Sequence, residues 1–188
     1  MHRTQNLTVS AADTDDTEAV VTPADILRGA ARYLTVYGWV QSSYYGGHDN
    51  NPFPPACADG AIGMAAFGGM TTCPGREGDN PHFRDYNRAF HVFSGHLQQT
   101  GWQPPCEPWC PGAEGCLCAK DAEDIVFAWN DDDTRTADDV IAALHAAADE
   151  WDWQHATSDD LETYGDACFW AGTRPTREGF LAWLVARS

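Results

Sequence analysis

Residues 124–151 constrain the fold more than any other stretch. Ile125-Val126-Phe127-Ala128-Trp129 is an apolar run with the length of one buried strand. Asn130-Asp131-Asp132-Asp133 interrupts it with side chains that favour turns. Thr136 then offers a hydroxyl to the free amides of a new helix. Asp138 and Asp139 fall in its first turn, where the helix dipole favours negative charge. Val140, Ile141, Leu144, Ala147, Ala148 and Trp151 follow at helical spacing and make one apolar face. Strand, acidic turn and capped helix define a fold element, not a reaction.

The same logic reads the rest of the chain. Thr22-Pro23-Ala24-Asp25 supplies a cap, a proline at the first helical position and an acid in the first turn. Ile26, Leu27, Ala30, Leu34 and Tyr37 make the stripe of a helix over 23–37, which Gly38 stops. Residues 39–45 read as a strand ended by Gly46-Gly47. Residues 57–67 are nearly all small and predict a short buried helix that other backbone can approach closely, although each glycine costs it about 1 kcal/mol. Asn80-Pro81 opens a helix over 81–98 with Phe83, Tyr86, Phe90, Phe93 and Leu97 on one face. The expected fold is therefore α+β: a mainly helical single domain over 22–152. In it helices 23–37, 57–67, 81–98 and 137–150 pack around a small sheet of 39–45 and 125–129. Residues 1–21 read as a flexible acidic tail and 103–120 as a cysteine-rich insert without its own core. Residues 153–188 read as a helical extension. It holds a short helix near 159–164, an unassigned piece over 167–172 and a last helix from about 177 to 186.

Charge narrows the partners. The formal net charge of −17 repels nucleic-acid phosphates and anionic membrane, so direct binding to either is excluded. It suits solubility, a basic partner or mimicry of nucleic acid. The start of the chain has no apolar core of a secretory signal, and no run of about 18 apolar residues exists, so a cytoplasmic location is expected. Thiols there stay free or bind metal more often than they pair.

Four constellations carry possible chemistry. Cys106, Cys110, Cys116 and Cys118 lie on a proline- and glycine-shaped loop that needs a staple, so a structural zinc, disulfides or free thiols are all open. Cys57 stands at the start of the small-residue helix, where the dipole lowers a thiol's pKa. With His48, His82, His91 or His96 as base and Asn130 or Asp131 as orienting group it would make a cysteine hydrolase. The alternative is a small buried residue chosen for packing. The run Asn130–Asp133 with Asp138 and Asp139 is dense enough for Ca²⁺ or Mg²⁺, but it lacks the glycine and distal glutamate of an EF loop, and a turn plus dipole complement explains it. His48, Cys57, Cys73 and His82 are zinc-type ligands at wide spacing, separated by loops. His91 and His96, five apart, do not share a helix face, and they read with His145 as ordinary surface or boundary residues.

Three blocks taken together resemble a known family. Leu27, Ala30 and Ala31 lead to Tyr37-Gly38-Trp39-Val40-Gln41. Cys57-Ala58-Asp59-Gly60-Ala61-Ile62-Gly63 follows. Val126-Phe127-Ala128-Trp129-Asn130-Asp131 then leads into Arg135-Thr136 and Val140-Ile141. Over about 22–150 this order is similar to a family of small uncharacterised proteins of actinobacteria and the phages that infect them. The resemblance implies that source and one compact domain. It brings no activity. The function expected is that of a non-enzymatic accessory protein which binds a macromolecular partner, a basic one among the candidates. A phage host-takeover or anti-defence factor is one form. The alternatives are a cysteine-dependent hydrolase centred on Cys57 and a virion or scaffold component.

Overall fold

The computed structural model describes residues 21–47, 51–102 and 121–187. Most of the acidic N-terminal tail, and the insert at 103–120, lie outside them. The helices described are α1 (Pro23–Tyr37), α2 (Ala58–Phe67), α3 (Phe83–Gln99), α4 (Ala122–Asn130), α5 (Ala137–Gln154), α6 (Ser158–Ala171) and α7 (Arg177–Val185).

Local chemistry sets where several of them begin. At α1 the Thr22 hydroxyl oxygen accepts from Asp25 N at 3.2 Å and the Asp25 carboxylate accepts from Thr22 N at 2.8 Å, a reciprocal cap. Thr136 with Asp139 repeats it at α5, and Thr157 with Asp160 at α6. Gly38 ends α1 at φ 94, a conformation that costs residues with a Cβ, and its N–H donates to Leu34 O.

Apolar faces then decide the packing. α1 lies against α5, α2 and α3, and α3 also holds α4. Leu27, Leu34, Ile62, Phe93, Leu97, Val126, Val140 and Leu144 are enclosed in one core. Each buried side chain of this size contributes about 1.5–3 kcal/mol through removal from water. Arg28 clamps α1 to α5 through Asp149 and Asp152, each at 2.7 Å.

The small sheet is absent: the described residues form no strand. Residues 125–129 belong to α4. Asp121 accepts from Asp124 N and caps the helix, with Glu123 and Asp124 in its first turn. Ile125, Val126, Trp129 and Asn130 are the buried positions, and i, i+1, i+4, i+5 is a helical face. A five-residue apolar run is consistent with either element, and the cap at Asp121 decides it here. Residues 39–45 form an irregular loop. Its only ladder contacts are single bridges from Trp39 and Tyr45 to Ala56. Ser42 sits at φ 63, which no strand accommodates. The backbone is satisfied instead by 55–57: Val40 N donates to Ala56 O, Gly46 N to Pro55 O, and Cys57 N donates to Tyr44 O. The loop lies directly on α2, where a Cβ on Gly60 would collide with the Tyr44 carbonyl oxygen. That is the close approach the small residues predict.

Beyond α5 the chain forms a helical pair with its own small cluster of Tyr164, Cys168 and Phe180. α6 is one continuous helix where the sequence reading expects a short helix and an unassigned piece. Gly165 does not break it, and Gly172 ends it in the left-handed conformation. α7 rests on the end of α5: Arg177 pairs with Glu150 at 2.5 Å and Phe180 meets Trp153 edge-on.

Candidate functional site

Three of the candidate residues meet at the start of α2. Cys57 is the N-cap, and its sulfur accepts from Gly60 N at 3.4 Å. Asn130, the last residue of α4, reaches the same helix end. Its Oδ1 accepts from Ala58 N at 3.0 Å and from Trp39 Nε1 at 2.8 Å. Its Nδ2 donates to Val40 O at 3.3 Å and to Asp131 Oδ1 at 2.7 Å. Asp131 Oδ1 also accepts from Ser42 N at 2.9 Å, which holds that residue in its left-handed conformation. Gln41 Nε2 donates to Asn130 O and Asp132 O. The end of α4 thus fastens loop 39–45 over the start of α2, and Asn130 uses its full hydrogen-bonding capacity to do so.

The electrostatics run against a nucleophile. Burial pushes the Cys57 thiol up to about 12. The backbone N–H groups of Gly60 and Asp59 pull the other way, and the charges of Asp59 and Asp131 add to the rise. Desolvation therefore outweighs the helix terminus, and the sulfur is a neutral thiol at physiological pH. A cavity of about 240 Å³ touches Cys57, lined by Ser42, Ser43, Tyr44, Phe127 and Asp131, with no histidine among these residues. His82 precedes α3, His145 is exposed and His48 is outside the described residues. His91 and His96 face elsewhere, into a cavity of about 390 Å³ between α3 and α5 that they share with Glu150, Trp151, Gln154 and His155. Burial holds His96 below its ordinary value, and Glu150 opposes that. Five-residue spacing suggested separate faces; the width of the cavity wall takes in both.

A polar pair that sequence reasoning missed lies two residues on. Asp59 is 1% exposed and accepts from the Tyr86 hydroxyl at 2.6 Å. Burial raises its carboxyl to about 7, the Tyr86 hydrogen bond opposes the rise and Glu123 adds to it. Tyr44 O–H lies 3.3 Å from Cys73 Sγ and donates to Glu123 Oε1 at 3.5 Å. Burial keeps the hydroxyls of Tyr44 and Tyr86 protonated well above their usual range. In the sequence Asp59 looks like a routine first-turn acid; a carboxylate set among small apolar residues was the available signal.

The remaining candidates divide. Asp132 accepts from Thr134 N and Oγ1, and Asp139 caps α5; the threonine hydroxyl and amide in each case hold the carboxyl below its ordinary value. Cys57, Cys73 and Cys168 are free thiols. No cluster of three or more metal-ligating side chains occurs among the described residues, so Cys57, Cys73 and His82 are not gathered into one. Cys106, Cys110, Cys116 and Cys118 lie outside the described residues. No described helix is long and apolar enough to cross a membrane.

The fold and its polar centre define a helical domain whose buried polar groups clasp a loop to a helix start. The chain belongs to the family of unknown function DUF6197, which matches residues 18–150. The match ends within α5, so α6 and α7 lie beyond it. No curated protein and no solved structure matches the chain.

Proposed function

We propose that this protein acts by binding a basic protein partner and does not perform hydrolysis at Cys57. The observation that carries the reading is the commitment of Cys57, Asn130 and Asp131 to the junction of α2, α4 and loop 39–45. A protonated, helix-capping thiol beside an amide that already holds four groups has, among the described residues lining its cavity, no histidine to serve as the base that nucleophilic catalysis needs. The acidic surface supplies a field that attracts cations over a Debye length of about 8 Å at physiological salt.

The test uses the full chain immobilised and exposed to lysate of the source cells at rising salt. A basic protein should be retained at low salt and released as ionic strength climbs. A Cys57→Ser chain should retain the same protein, because serine preserves the cap. Loss of retention in a folded Cys57→Ser chain, or retention of no basic protein, contradicts the proposal.

A further inference from the structure

α6 has two unlike faces. Tyr164 and Cys168 turn inward to Phe180 of α7. On the opposite arc Glu162, Asp166 and Trp170 follow one another at four-residue spacing, with Phe169 beside them. Phe169 is 75% exposed and Trp170 83%, the two most exposed large apolar side chains among the described residues. Their rings meet edge-on at 5.4 Å, so they form one patch and restrict each other's rotamers. Single exposed apolar residues need no explanation; an adjoining pair of large aromatics rimmed by charge does.

The rim decides the occupant. α6 carries Asp159, Asp160, Glu162 and Asp166 and no basic residue. A symmetric pairing of two copies sets Glu162 and Asp166 against the same carboxylates, between chains of net charge −17. Anionic lipid is repelled for the same reason. We infer that the outer face of α6 is the docking site for a basic amphipathic segment of a protein partner. Its apolar side chains seat against Phe169 and Trp170, and its Arg or Lys groups pair with Glu162 and Asp166. An arginine over the Trp170 ring gains cation–π attraction. The inference rests on the proposed binding function and locates it outside the matched family region.

The test is a titration of the full chain with two synthetic helical peptides. One carries a leucine stripe flanked by arginines; in the other serines replace the leucines. The leucine peptide should bind and weaken as salt rises. Trp170→Ala should reduce its affinity about tenfold or more, as should the pair Glu162→Lys and Asp166→Lys, while far-ultraviolet circular dichroism stays unchanged. The serine peptide should bind about tenfold more weakly. Equal binding of the two peptides, or indifference to Trp170→Ala, overturns the assignment to α6; if salt-sensitive binding persists, the broader acidic reading stands. No binding of either peptide at low salt overturns both. Self-association of the chain that Phe169→Ser abolishes overturns the inference in favour of a second copy.

Discussion

At the start of α2, loop 39–45 and α4 wrap Cys57, Asp59 and Asn130 until their polar atoms find partners within the fold. On the outer face of α6, Phe169 and Trp170 stand exposed beside the exposed carboxylates of Glu162 and Asp166. The first region looks chemically able from its residue types and is structurally occupied. The second has no reactive group, and its two aromatic rings stay exposed. Residue type alone therefore does not show which groups are already spoken for. What separates the two is whether a side chain's valences are used inside the molecule.

That contrast breaks first if the main core fails to govern stability. Phe93 is fully enclosed and meets Trp129 edge-on. Phe93→Ala should cost about 3–5 kcal/mol in denaturant unfolding. Asn130→Ala leaves Ala58 N, Trp39 Nε1 and Val40 O without their partner. It should cost about 2–4 kcal/mol, while Cys57→Ser stays within about 1 kcal/mol because serine is a good cap. An Asn130→Ala change as mild as Cys57→Ser would dissolve the claim that Asn130 secures the junction.

Asp59 sharpens the comparison through pH. Its carboxyl moves from 3.8 to about 7 on folding. The folded chain therefore holds a proton that the unfolded chain has released across that window. The contribution of Asp59 to stability is greatest in acid, falls as pH rises from about 4 to 7 and is level above. Asparagine does not titrate, so the stability difference between Asp59→Asn and the parent isolates the group. It should shift in favour of Asp59→Asn by on the order of 4 kcal/mol between pH 4 and pH 8. A flat difference means that Asp59 is ionised throughout.

The smallest global effect belongs to the C-terminal pair. Phe180→Ala removes the centre of a cluster shared with Tyr164 and Cys168. It should speed amide hydrogen exchange over 158–185 and change the global unfolding free energy by less than about 1 kcal/mol, since a small unit opens on its own. Equal acceleration in α1 would show that the pair is part of the main cooperative unit.

The sequence made the capped helices legible because a Thr-to-Asp box and an apolar stripe are local signals. Pro23–Tyr37 and Ala137–Gln154 begin where those signals place them. Two physical reasons make 39–45 and 125–129 read as strands. An apolar run as short as Ile125–Trp129 carries no period, and its cap, Asp121, adjoins the cysteine-rich insert. The aromatic residues 39–45 have strand composition, yet Asn130 and Asp131, ninety residues away, claim their backbone and hold Ser42 left-handed. Asp59 and the shared cavity of His91 and His96 were hidden because burial and cavity walls are tertiary facts.

The alkylation rate of Cys57 tests the account most directly. The folded full chain is treated with iodoacetamide near neutral pH, and each thiol is followed by peptide mass spectrometry. The account predicts that Cys57 reacts more slowly than the half-exposed Cys73, and only as fast as the fold opens. Modification of Cys57 faster than a free thiol in solution would contradict it and return the start of α2 to the list of catalytic candidates.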